Sequence, residues 1–393
     1  MRYSILVDAD TVVLGLVIAA RLLVPLLIPW YPLPGVVAAL VLDAVDQTLF
    51  QSFTRLPLAF YQSYDKALDV YYLSIAYIST LRNWTNHFAF RVSAFLFYFR
   101  LAGVALFELT EWRLLLFIFP NTFEYFFIWY ETVVLWRDPR RLPRHTVVGA
   151  AAAIWIVIKL PQEFWLHIAR LDLTDVLKTA LFGAPPETTW GYLFDALPGV
   201  FVGAVAAAVA LIIGLAWLAG RRLPPPEQSF SARGRTRSLG RERLRAARAM
   251  WSERIFDRDL AEKVVLVTLL VVIFAQVLPN TRATTAQTAV GAAVVIVLNT
   301  VISHWLARRG VGWRNALGQF IIVAAANFTI VAAFQVLPGA QDLDDAAAAF
   351  FILLLSLIVT LFDRFTEIHV ARFHRKEGEN PQISPGESTA GTD

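Results

Sequence analysis

Residues 88–109 have the sequence FAFRVSAFLFYFRLAGVALFEL, a largely apolar run with Arg100 at its middle. At a helical rise of about 1.5 Å per residue, a run of this length crosses the roughly 30 Å of hydrocarbon in a bilayer. A charged residue at the bilayer centre costs roughly 2.5 to 3.5 kcal/mol even on lenient insertion scales. The run therefore predicts a transmembrane helix in which Arg100 requires a compensating partner or a function.

Apolar runs of similar character recur along the whole chain of 393 residues, which is 57% hydrophobic and only 17% charged. Soluble domains are about 25% charged, so the excess apolar surface is expected to face lipid. The pattern predicts an all-α, polytopic transmembrane helix bundle with about 10 to 11 membrane segments. The candidate spans are residues 11–28, 35–50, 67–81, 88–109, 113–136, 146–160, 197–218, 260–278, 284–306, 315–337 and 346–362.

The first 90 residues leave the number of spans open, because the runs at 35–50 and 67–81 are short and polar for spanning helices. Eleven spans place the N-terminus outside. If one of the two runs is re-entrant or interfacial, ten spans place it inside.

Arginines set the expected orientation, since basic loops are retained on the cytoplasmic side. They concentrate in the loops at 136–145, 221–254 and 307–314 and at the start of the C-terminal tail. We therefore expect an integral protein of the cell membrane with a cytoplasmic C-terminus.

Composition divides the chain into four predicted regions. They are an aromatic-rich membrane half with intramembrane charges at 1–220, a basic cytoplasmic linker at 221–258, an Ala/Val-rich four-helix membrane half at 259–366, and a largely disordered cytoplasmic tail at 367–393. The stretch 221–254 holds ten arginines and three glutamates, a net charge of +7. It should bind anionic lipids, with a protein partner as the alternative, and no nucleic acid is expected.

The sequence lacks the usual signatures of catalytic and cofactor sites. It has no cysteine, its six histidines form no metal-binding spacing, and no GxGxxG, Walker A or GxSxG motif is present. We therefore expect no metal site, no cofactor and no enzymatic activity.

Polar residues within the predicted spans form the candidate site. Asp43, Asp46 and Gln47 are spaced to lie on one side of a helix, while Asn121 and Glu124 follow a kink expected at Pro120. In one interpretation Arg100 pairs with Asp43 or Glu124 and fixes helix packing. In the other, the carboxylates around one arginine cannot all stay ionised, so one carries a proton or binds a polar solute.

Residues 161–181 are expected to form an amphipathic helix on the outer leaflet, with apolar side chains at helical spacing. The alternative is a lid over a cavity, with Glu163 and His167 at its mouth.

Together these patterns favour a transporter-like or permease-like protein for a small solute or ion. Its pathway would be lined by Asp43, Asp46, Arg100, Asn121 and Glu124. The alternative is a non-catalytic membrane scaffold or assembly factor that recruits a partner through the basic linker.

Overall fold

A computed structural model shows the fold. It describes residues 9–54, 58–169, 173–186, 188–222, 231–234, 258–277, 291, 293–297, 300–301, 316–335 and 345–373. Within these residues all regular secondary structure is helical, which confirms the predicted all-α class. The predicted span at 284–306, most of the basic linker and the tail beyond residue 373 lie largely outside the described residues.

The helices are numbered in chain order. They are α1 (Ala9–Leu23), α2 (Pro32–Phe53), α3 (Leu58–Asn83), α4 (His87–Thr110), α5 (Leu114–Ile118), α6 (Thr122–Trp136), α7 (Arg144–Ile168), α8 (Leu173–Phe182), α9 (Trp190–Ala196), α10 (Pro198–Arg222), α11 (Arg258–Val277), α12 (Ala316–Gln335) and α13 (Asp345–Phe373). Short 3₁₀ turns follow α1 and α6, at Val24–Leu27 and Pro139–Arg141.

Two of these helices, α4 and α7, are long and apolar enough to cross a membrane. A third crossing results if α9 and residues 198–211 of α10, bent by 103°, count as one broken span. The described residues thus support two or three crossings by length and composition, fewer than the 10 to 11 segments that the sequence predicts.

Local signals explain where several helices begin. Pro32, in the first turn of α2, needs no hydrogen bond for its missing N–H. The side chain of Asn86 caps α4 by accepting a hydrogen bond from the Ala89 amide at 3.0 Å. These signals lie one to three residues from the predicted boundaries of the apolar runs.

Helix α3 is the centre of the bundle. Every residue from Tyr71 to Thr80 is buried, because α1, α2, α4, α11 and α13 all pack against this helix. Its aromatic side chains contribute to a shared core, in which the Tyr77 ring stacks on Phe97 with centroids 4.5 Å apart. Both α2 and α3 are continuous over their described residues.

Polar contacts join the C-terminal helices to this core. Arg372 of α13 donates hydrogen bonds of 2.6 Å to the backbone carbonyls of both Arg82 and Trp84 at the end of α3. Lys263 of α11 pairs with Asp363 of α13 at 2.8 Å, and both side chains are buried. The two predicted membrane halves therefore share one packed interior in the described residues.

The predicted span at 113–136 is divided into two helices. The single kink expected at Pro120 is a full break, since α5 ends at Ile118 and α6 begins at Thr122. Glu124 therefore lies in the first turn of α6 rather than near the middle of a span. Gly103 of α4 faces this break, and an added Cβ there would lie 2.1 Å from the Cβ of Phe119.

Replacing Gly103 tests this close approach. We expect Gly103→Ala to lower the free energy of unfolding by about 1 to 3 kcal/mol, because Phe119 and the chain break must move. Gly149 of α7 is the matched control, as no atom lies within 4 Å of an added Cβ. Gly149→Ala should raise the free energy of unfolding by about 0.5 to 1 kcal/mol. Denaturation of the purified protein in detergent measures both changes, and equal effects would contradict the packing described.

Candidate functional site: a charged network around an internal cavity

One arginine on the first helix holds three carboxylates. The Arg21 side chain is 3% exposed, and its Nη1 lies 2.7 Å from Oδ1 of Asp43 and also contacts Asp46. Its Nη2 lies 2.6 Å from Oδ1 of Asp69 on α3. The guanidinium thus joins α1, α2 and α3 through contacts with three acidic groups.

This cluster corrects the predicted pairing. Asp43 and Asp46 do lie on one side of α2, as their spacing predicts, but their partner is Arg21 and not Arg100. The side chain of Gln47, the third polar residue predicted on this side, lies outside the described side chains.

Arg100 has a different environment. Its Nη1 donates a hydrogen bond of 3.0 Å to the backbone carbonyl of Phe119, which the break between α5 and α6 leaves without a helical donor. Glu124 and Glu163 are near enough to interact with its charge. No carboxylate of the described residues forms an ion pair with it. A guanidinium has five N–H donors, so most of its hydrogen-bonding capacity remains for another group.

Asn121 links the helix break to two acidic side chains. Its backbone N–H donates to Oε1 of Glu163 at 3.1 Å, and its Nδ2 donates to Oε2 of Glu124 at 2.5 Å. The Tyr72 hydroxyl of α3 forms a further hydrogen bond with the Glu124 carboxylate. The Oδ1 atom of Asn121 is buried and has no hydrogen-bond partner among the described residues.

Helix α7 adds a polar stripe that the sequence analysis placed elsewhere. Lys159 and Glu163 are both buried. The Lys159 ammonium lies 3.9 Å from the centroid of the Tyr125 ring. Nε2 of His167 lies 3.0 Å from Oε2 of Glu163. The helix continues through Pro161 to Ile168, so residues 161–168 do not begin a separate helix on the outer leaflet. The alternative that put Glu163 and His167 beside a cavity matches their position more closely.

Wide helical turns keep this stripe aligned. Residues Ile154–Lys159 and Phe164–Ile168 are π-helical, and α-helical turns lie between and before them. In a uniform α-helix, each step of four residues rotates a stripe by about 40°. The wider π-turn offsets that rotation, which keeps Lys159, Glu163 and His167 on one face.

A cavity of about 200 Å³ lies between α3, α4, the α5–α6 break and α7. Its polar wall consists of Asp69, Arg100, Glu108, Asn121 and His167, and its apolar wall of Val70, Leu73, Phe97, Leu101, Val104, Phe107, Leu116 and Phe123. Asp69 also contacts Arg21, so this residue belongs both to the cavity wall and to the Arg21 cluster.

The predicted site residues thus fall into two groups. Asp43 and Asp46 lie in the Arg21 cluster, while Arg100 and Asn121 line the cavity and Glu124 lies behind Asn121. Four contributors were missed, namely Arg21, Asp69, Glu108 and Lys159, while the alternative prediction alone had placed Glu163 and His167 beside a cavity. The spacing of Lys159, Glu163 and His167, four residues apart, was the signal that could have placed them on one helix face. The described residues contain no group of three or more acidic or histidine side chains arranged to hold a metal ion.

Comparison of the chain with protein-family models, with curated proteins and with solved structures finds no match. The chemistry of the side chains must therefore carry any functional argument.

The two arginines should respond differently to neutralisation. Arg21→Gln removes the cation that contacts the buried Asp46 and the more exposed Asp43 and Asp69, and should lower the free energy of unfolding by about 3 to 5 kcal/mol. Arg100→Gln breaks no ion pair and should change the free energy of unfolding by about 1 kcal/mol or less, since only the hydrogen bond to the Phe119 carbonyl is altered. Denaturation in detergent at neutral pH compares the two variants. An equally large loss at Arg100 would show that it is a packing residue.

Proposed function

We propose that the protein is a transporter-like or permease-like integral protein of the cell membrane, which passes a small solute or ion through the charged cavity. The proposal includes the 10 to 11 spans and the cytoplasmic C-terminus that the sequence predicts. Domain boundaries and the binding of anionic lipid by the linker belong to the same proposal.

Arg100 beside the cavity is the observation that carries this proposal. Arg100 is partly buried at the cavity wall, where a carboxylate partner would offset the cost of its charge. Arg100 has one backbone carbonyl instead, and it faces a space of about 200 Å³. A polar or charged solute in that space would supply the interactions that the fold leaves unmade.

The surface supports a membrane location for this cavity. Large aliphatic side chains are exposed on several helices, among them Leu16 at 65%, Val157 at 70% and Val202 at 67%. Large apolar side chains exposed in this number are unfavourable in water and suit contact with lipid. Several charged side chains are instead buried in the helix bundle, among them Arg21, Asp46 and Lys159.

A scaffold is the second candidate, and the Arg21 cluster favours it. Each of the three carboxylates there contacts the arginine, which is the arrangement expected of a device that fixes the packing of α1, α2 and α3.

Measuring solute uptake into proteoliposomes distinguishes a transporter from a scaffold. The full chain is reconstituted and tested with radiolabelled alanine, acetate, ethylamine, phosphate and rubidium ions, against liposomes without protein. We expect at least one probe to enter faster, and Arg100→Gln to slow its entry by about tenfold or more, as expected for loss of a charged hydrogen bond worth about 1.5 kcal/mol or more.

Arg91→Gln is the control, because Arg91 lies exposed on the same helix. If correctly folded protein accelerates none of the five probes, transport is rejected and the scaffold is retained.

A further inference from the structure

The cavity lining carries charges of both signs. Arg100 brings a guanidinium whose donors are largely uncommitted, whereas Asp69 and Glu108 bring carboxylates. A simple anion would be attracted by Arg100 and repelled by both acids. A simple cation would be attracted by both acids and repelled by Arg100. A molecule that carries both charges is attracted by Arg100 through its negative group and by the acids through its positive group.

We infer that the cavity binds a small zwitterion of the amino acid type, with its carboxylate on Arg100 and its ammonium group between Asp69 and Asn121. As a transported substrate, this ligand rests on the proposed function; as a bound ligand, it rests on the cavity alone.

The carboxylate end fits the geometry of Arg100. Planar guanidinium groups bind carboxylates through two parallel hydrogen bonds, and such pairs are among the strongest in proteins. Only one N–H of Arg100 is used by the Phe119 carbonyl, which leaves donors for this pairing.

The ammonium end has two acceptors. Asp69 is 42% exposed at its side chain, so its carboxylate can accept a further hydrogen bond while it contacts Arg21. Asn121 lines the cavity, and its buried Oδ1 has no hydrogen-bond partner in the described part of the chain. A small rotation of this side chain would bring Oδ1 to the ligand. An unmade hydrogen bond at a buried amide oxygen costs free energy, and an ammonium donor would remove that cost.

The volume limits the size of the ligand. A dry cavity of about 150 Å³ holds benzene, which has six non-hydrogen atoms, so a cavity of about 200 Å³ holds roughly eight. Alanine and valine are within this limit and phenylalanine is beyond it. The apolar wall formed by residues such as Leu101 and Val104 would contact a short aliphatic side chain.

Three related probes test the inference on the purified full chain in detergent. Alanine carries both charges, propionate lacks the ammonium group and ethylamine lacks the carboxylate. We expect calorimetry to show alanine binding, with propionate and ethylamine each weaker by about tenfold or more. Phenylalanine should not bind.

Single substitutions test which residues bind the carboxylate end and the ammonium end of the ligand. Arg100→Lys keeps the charge but loses the two-pronged geometry, so alanine should bind about tenfold more weakly. Glu108→Gln and Asp69→Asn should weaken alanine and ethylamine but not propionate. Arg91→Lys, at an exposed position of the same helix, should leave alanine binding unchanged. Thermal denaturation without ligand shows that each variant is folded.

Each outcome is decisive. Propionate binding as tightly as alanine makes the cavity an anion site, equal binding of ethylamine makes it a cation site, and either overturns the inference. Absence of binding by all three probes also overturns it, while uptake of phosphate or rubidium would leave the proposed function standing. Alanine binding that depends on Arg100, without uptake by proteoliposomes, would uphold the binding site and reject transport.

Discussion

The cost of an unpaired charge in an apolar interior governs this structure. Arg21 meets the constraint with three carboxylates drawn from α2 and α3, and the helices are held at the distances those contacts require. Lys263 and Asp363 meet it as a single pair between α11 and α13. Arg100 is partly buried and does not meet it with a carboxylate, since its direct partner in the described residues is one backbone carbonyl. The difference between a satisfied and an unsatisfied guanidinium separates the packing device from the candidate binding site.

The break between α5 and α6 turns this constraint into a site. A continuous helix would have bonded the Phe119 carbonyl internally, whereas the break presents it to Arg100 and turns the Asn121 amide toward Glu163. Gly103 makes the close approach of the break to α4 feasible. Backbone irregularity, here and in the π-turns of α7, positions the polar groups around the cavity.

The features predicted correctly from the sequence are those that depend on local sequence pattern. Apolar runs located α2, α4, α10, α11 and α12 to within a few residues, whereas α3, α7 and α13 extend eight or more residues beyond the predicted runs. Helical spacing placed Asp43 and Asp46 on one side of α2. The pairing with Arg21 could not be read in this way, because it joins residues on different helices and no periodicity records which helices meet. Glu163 and His167 were placed beside a cavity only in the alternative prediction, for another reason. Pro161 suggested a boundary, since proline lacks a backbone donor, but α7 continues through it between two π-helical segments.

The position of α3 has a consequence for biosynthesis. This helix carries Asp65, Lys66 and Asp69 in its N-terminal half, and its other half is enclosed by helices from both ends of the chain. It emerges from the ribosome long before residues 345–373, which cover one of its faces and cap its last carbonyls through Arg372. The most central helix is therefore among the first to be synthesised and among the last to be fully enclosed. Until α13 is synthesised, the face of α3 that it covers lacks its partner helix.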